Sequence, residues 1–167
     1  VWMIATALKP PAEVFGTGSG LVGSQIRWSN FAEAWSYLPF GRFMLNGLFV
    51  AVAGTVVVCV TSVFSAYAFA RLRFRFRDRI FLLFLGTLMV PQEVTVVPMF
   101  ILMQQFRWVD SYAALILPWA FTAFGTFLLR QFFLSIPREL EEAATIDGAS
   151  RLRILLQVVV PIARPAI

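Results

Sequence analysis

Few side chains in this sequence can do chemistry. It has no His, a single Cys (Cys59) and a single Lys (Lys9), which is followed by two prolines. Without His or a second Cys, nearly all transition-metal, haem and histidine-based catalytic chemistry is excluded, as is any disulfide within the chain. A phosphate-cradling loop needs glycine-rich backbone followed by Lys and Ser or Thr. Lys9 has no such setting, so the chain is not expected to hydrolyse ATP. No catalytic residue, metal site or cofactor is expected. What remains is one carboxylate inside a long apolar run, Glu93, and an acidic cluster, Glu139, Glu141 and Glu142, followed by Asp147-Gly148.

The cluster belongs to a polar segment, 136–157, with a helix-turn-helix layout. Pro137 suits a first helical turn, and the three glutamates stand where negative charge favours a helix N-terminus. Asp147-Gly148 supplies a left-handed stop. Ser150 can cap a second helix that runs through Arg151 and Arg153 into the last apolar run. Leu140, Ala143, Ala144 and Ile146 form a mostly small-residue face, which lets another protein's surface come close to the helix backbone.

Glu93 marks a functional site by default, because an anion cannot comfortably face lipid. Counting from Ile80 at about 1.5 Å per residue puts it in the outer half of a straight span. Two explanations stay open: it lines a wet path, or it is protonated and hydrogen-bonds within the bundle, for example to the carbonyl of Thr87 or Val94. Gln92 and Thr122 offer hydrogen bonds along such a path. Trp119, Phe121 and Phe124 can stack on a solute's rings, although span aromatics more often face lipid or neighbouring helices. Pro91, Pro98 and Pro118 free carbonyls one turn earlier, which is tolerated where backbone lines protein or a wet cavity.

The elements that must position these residues follow from composition. Of 167 residues, 59% are hydrophobic and 14% charged, a membrane composition. Spans of about 20 apolar residues cross the hydrocarbon core, and three complete ones are expected, at 46–70, 80–103 and 111–129. A further run begins at 154–167 and is left unfinished. Residues 1–8 resemble the end of an earlier span, so a single domain truncated at both ends is expected, with no signal peptide. The net charge of +5 does not indicate nucleic acid, since the arginines cluster at the edges of apolar runs. Five of them, Arg71, Arg73, Arg75, Arg77 and Arg79, fill one short link, which by the positive-inside rule lies in the cytoplasm together with the segment after Leu129. This link reads as a tight loop whose arginines meet lipid phosphates. The outer segment, 9–45, contains a flexible glycine-rich stretch at 16–20 and a short helix through 31–37, capped by Ser29-Asn30 and stopped by Pro39 and Gly41. Either an external partner or simple packing over the helix ends explains that segment.

At the polar segment a resemblance becomes specific. The run EAATIDGASRLRILLQVVVP has Glu142-Ala143-Ala144, three residues, Gly148, nine residues, then Val158, Val160 and Pro161. It resembles the EAA signature of permease subunits of bacterial ABC importers. The flanking runs FLLRQFFLSIPRELEEAATIDGAS and MVPQEVTVVPMF are similar to the carbohydrate-uptake branch, of maltose and glycerol-phosphate type. Val158 and Val160 stand where the family often has Ile and Leu.

The resemblance implies an all-α polytopic transmembrane bundle of the bacterial inner membrane with a cytoplasmic coupling-helix loop. It implies a second permease subunit, a cytoplasmic ATPase dimer, an extracytoplasmic solute-binding protein, and a sugar or related polar solute. Residue by residue it makes Glu142 the polar anchor for the ATPase, Ala143 and Ala144 the close-packing face, and Gly148 the turn between two short helices, with Asp147 beside it. Gln92, Glu93, Trp119 and Thr122 are the candidate solute path. The alternative is a secondary carrier or channel subunit that uses Glu93 as its intramembrane charge. A membrane-bound enzyme lacks paired intramembrane carboxylates or an activated nucleophile.

Overall fold

The computed structural model describes residues 1–15, 20 and 23–167. Of the glycine-rich stretch 16–20 only Gly20 is among them, so the expected linker lies outside the described residues. All regular structure among the described residues is helical, and the chain is all-α as expected. They form two compact units, Val1–Phe49 and Val50–Ile167, divided inside one long helix.

The first unit holds α1 (Trp2–Ala7), α2 (Pro11–Val14) and α3 (Ser29–Tyr37). Asn30 does not cap α3 as its position suggested. Trp28 is the N-cap and makes no side-chain bond, while the Asn30 amide donates to the carbonyls of Ala7 and Lys9, both at 2.9 Å. A side chain with two carbonyls in reach across the fold gains more than one hydrogen bond to its own helix. The Glu13 carboxylate ties α2 to the chain ahead of α3, accepting from the Ser24 backbone N–H at 2.9 Å and from its hydroxyl. Those bonds, the hydroxyl's first, hold its pKa below the ordinary carboxylate value.

Helix α4 (Phe40–Arg71) has 32 residues and reaches about 48 Å at ~1.5 Å per residue, more than the roughly 30 Å of a hydrocarbon core. Gly41 lies inside it and does not stop the preceding helix; the break is made by Leu38-Pro39. Within the second unit one stripe of α4, Val52, Val56, Val60 and Phe64, is exposed. Nearer its C-terminal end Ser62, Val63, Ala66, Tyr67 and Ala70 are buried. Burial on α4 thus changes along its length, from exposed near the start of the unit to buried near Arg71.

The other elements of this unit are α5 (Arg77–Gly86), a 3-10 turn (Thr87–Met89), α6 (Gln92–Gln105), α7 (Tyr112–Ile116), a 3-10 turn (Leu117–Trp119), α8 (Ala123–Ser135), α9 (Glu139–Ile146), α10 (Arg151–Ile154), a π turn (Leu155–Val159), α11 (Val160–Ala163) and a last 3-10 turn (Arg164–Ala166). The apolar run 80–103 is not straight, because its helical axis turns by 100° between Met89 and Gln92. Pro91 forces an extended Val90 ahead of it and has no N–H to continue the ladder. A gentler bend of 46° separates Trp119 from Ala123. The residue count that placed Glu93 at a depth along a straight span therefore does not apply.

The core of the unit is built where α4 meets α8 and the α10–α11 stretch. Ala66, Ala70, Phe133, Val159 and Ala163 are wholly buried there. Lipid tails are as apolar as these side chains, so association relies on close packing, which small residues permit. Gly125 of α8 shows how close: a Cβ there would lie 2.7 Å from the Ser62 hydroxyl of α4. Pro161 lacks the N–H that would bond the Gln157 carbonyl, and the π turn accommodates this within the packed face.

Candidate functional site

The acidic segment folds as a tight helical hairpin whose turn is fully bonded. Helix α9 starts at Glu139 rather than at Pro137, with its three glutamates in the first turn. It ends at Ile146 with Asp147 as its C-cap, and Gly148 follows with φ +80°. The Gly148 N–H donates to the Thr145 carbonyl at 3.0 Å and the Ala149 N–H to that of Ala144 at 2.9 Å. This pair of bonds is a Schellman closure, and it requires the left-handed residue that glycine supplies without strain. Ser150 then caps α10, its hydroxyl accepting from the Arg153 N–H at 3.4 Å.

The hairpin has distinct inner and outer sides. Ala144 and Ala149 pack against the core of the second unit. Glu142, Ala143, Asp147 and Gly148 are exposed, as are Leu140 and Ile146, the latter at 86%. Ala143 and Ala144, expected to share one face, are thus divided, because adjacent helical positions point about 100° apart. Ala144 seats the hairpin on its own chain. An exposed apolar side chain beside an exposed anion and an open glycine turn remains on the outside.

A buried polar link holds this hairpin, and a second arginine ties α8 to α4 and α5; neither is visible as a sequence pattern. Arg71, the last residue of α4, lies 2.7 Å from the Glu141 carboxylate, with side chains only 5% and 15% exposed. The contact is between charges, without an aligned hydrogen bond between those two atoms. The far nitrogen of the guanidinium donates to the carbonyls of Phe133 and Ile136, each at 2.7 Å. One side chain thereby joins the end of α4, the end of α8 and the first turn of α9. Arg130 of α8 stacks 4.2 Å over the Phe81 ring, donates to the Phe69 carbonyl at 3.3 Å and lies 3.6 Å from Asp78.

The candidate path residues lie at the two bends. Gln92 and Glu93 open α6 immediately after the sharp one, and both are exposed. Among the described residues the Glu93 carboxylate has no hydrogen-bond partner, and the Thr87 carbonyl accepts the Val90 N–H instead. Its charge sits at a helix N-terminus, where the macrodipole favours an anion. Trp119 and Thr122 flank the second bend. Trp119 is half exposed, whereas the Thr122 hydroxyl caps α8 by accepting from the Gly125 N–H at 3.0 Å. The 3-10 turn at Thr87–Met89 packs against α8, the helix that Thr122 caps.

Residues 60–167 match the family described as binding-protein-dependent transport system inner membrane component. The chain is 38% identical over 91% of its length to the sn-glycerol-3-phosphate transport system permease protein of Pectobacterium atrosepticum, of which it covers 56%. It is 35% identical over 100% of its length to the sulfoquinovosyl glycerol transport system permease protein of Agrobacterium fabrum, covering 59%. A solved bacterial ABC transporter involved in the import of the acidic polysaccharide alginate superposes with a TM-score of 0.84 at 28% identity, over 99% of this chain and 58% of that one. The chain thus spans little more than half the length of the relatives it matches.

Proposed function

The chain belongs to the family of binding-protein-dependent transport system inner membrane components, and from that premise we propose that it is part of a permease subunit of an ATP-driven importer. With a second permease it forms the path for a sugar or related polar solute. A cytoplasmic ATPase pair supplies the energy, and an external binding protein delivers the solute.

The observation that carries this reading is the hairpin at 139–154. It is seated on the core by Ala144 and Ala149, tied to α4 and α8 through Arg71 and Glu141, and open on its other side at Glu142, Ala143 and Gly148. An element with that construction can receive a push from outside the chain and pass it to membrane helices as a rigid body, the geometry of a two-state switch biased by both nucleotide and solute. Glu142 is the polar anchor for the ATPase, and Ala143, Asp147 and Gly148 form the surface it approaches. The two bends supply interrupted helices, of the kind that line transport paths. Gln92, Glu93 and Trp119 are the groups they offer to the solute, while Thr122 shapes the second bend. The secondary-carrier alternative has no support in the similarities found.

The test is uptake into vesicles bearing the full-length permease with its partner permease, ATPase and binding protein. Uptake should require ATP and all four components. Uptake driven by a proton gradient in the permease alone would overturn the proposal in favour of a carrier.

A further inference from the structure

The link between α4 and α5 is rich in cations that nothing in the coupling mechanism uses. It lines an open cleft of about 490 Å³, and Arg138, just ahead of α9, closes the other side. Four guanidiniums, those of Arg73, Arg77, Arg79 and Arg138, line this cleft against a single carboxylate, Asp78. Arg77 already pairs with Asp78, at 3.1 Å. Among the described residues the Arg73 and Arg138 guanidiniums have no hydrogen-bond or ion-pair partner, and Arg79 has only a ring contact, 5.6 Å over Phe76. Like charges gathered in one cleft repel each other, so the arrangement favours an anion between them.

The surroundings say which anion. Phe74 and Phe76 line the same cleft and are 41% and 50% exposed, so whatever lies there offers apolar matter next to its charge. Phe76 is held in the left-handed region, φ 63°, with Arg75 stacked 4.7 Å over its ring. The cleft also lies at the end of α4, the one described helix that is long and apolar enough by itself to cross a membrane. Guanidinium forks match phosphate oxygens, and aromatic rings settle at the headgroup level. We propose that this cleft binds the phosphodiester headgroup of an anionic membrane lipid, with Arg73, Arg79 and Arg138 on the phosphate and Phe74 and Phe76 against the acyl chains. It rests on α4 crossing the membrane and is independent of the coupling role of the hairpin.

The assembled full-length complex is placed in nanodiscs mixed from phosphatidylcholine and phosphatidylglycerol, and the lipids it retains are read by native mass spectrometry. The wild type should retain phosphatidylglycerol selectively. An arginine near an anionic surface contributes about a fivefold preference, so R73Q/R79Q should cut the selectivity by roughly 25-fold. R73K/R79K, which keeps the charge, should retain most of it, and R27Q, in the outer segment, should change nothing. Selectivity unchanged in R73Q/R79Q would overturn the proposal. So would its abolition by millimolar inorganic phosphate, which would make free phosphate the ligand. A third arm labels Asp78→Cys, in a Cys59→Ser background, with a thiol reagent: protection should depend on phosphatidylglycerol, and equal protection by the bound ATPase in phosphatidylcholine alone would assign the cleft to a protein surface instead.

Discussion

Removing the Glu141 carboxylate would leave the Arg71 guanidinium buried with only the carbonyls of Phe133 and Ile136 as partners. Stranding one member of a buried pair costs about 3–5 kcal/mol, whereas replacing both by apolar groups of similar size is often nearly neutral. Glu141→Gln should therefore lower the thermal midpoint of the purified protein by several degrees, and Arg71→Met with Glu141→Leu should lower it less. A double variant that loses as much as the sum of its parts would show that the two side chains act separately. The Glu13 carboxylate offers a milder test. Its folded pKa lies below the unfolded one, so its contribution is complete above the unfolded value and disappears as pH falls through the folded value. Carboxyl titration by NMR should find Glu13 shifted low in the wild type and returned toward the ordinary value in Ser24→Ala. Neither contact is legible in the sequence. Glu139, Glu141 and Glu142 share one helical turn, and only the seating of that turn on α4 and α8 selects Glu141 for burial.

At the scale of elements, the hairpin was readable because its punctuation is local. Gly148 needs only its own φ, and Ser150 only the N–H three residues on. The 100° bend after Met89 was not, since a proline inside an apolar run is compatible with a kinked span as well as with a reversal, and packing decides between them. The N-cap of α3 is hidden from the sequence for the same reason, since Asn30 bonds to distant carbonyls. A Cβ on Gly148 would meet nothing within 4 Å, so substitution there tests conformation alone. Gly148→Val should cost roughly 1–2 kcal/mol of turn stability. Gly148→Asn, whose side chain tolerates the left-handed region, should cost less. Solute-stimulated ATP hydrolysis in the assembled complex should follow the same order. Equal, normal stimulation in both variants would remove the turn from the coupling pathway.

For the whole molecule, the division of labour follows from where burial stops. The long α4 is exposed at Val52, Val56 and Val60 and buried toward its C-terminal end, and its last residue, Arg71, is locked to the hairpin. A displacement of α9 must therefore either move α4 and α8 or break a buried charge pair. The composition announced the membrane and the EAA spacing announced the family, since both are written in residue types and short intervals. The link through Arg71 joins residues 70 positions apart in the chain, and no interval in the sequence encodes it. The central claim is that the outer face of α9 is where the ATPase binds. It is tested most directly by site-specific cross-linking in a Cys59→Ser background, with a short bifunctional thiol reagent and the complete complex. Ala143→Cys should form a covalent adduct with the ATPase subunit, while Val56→Cys, on the exposed apolar stripe of α4, should not. A complex that co-purifies intact yet yields no adduct from position 143 would contradict it.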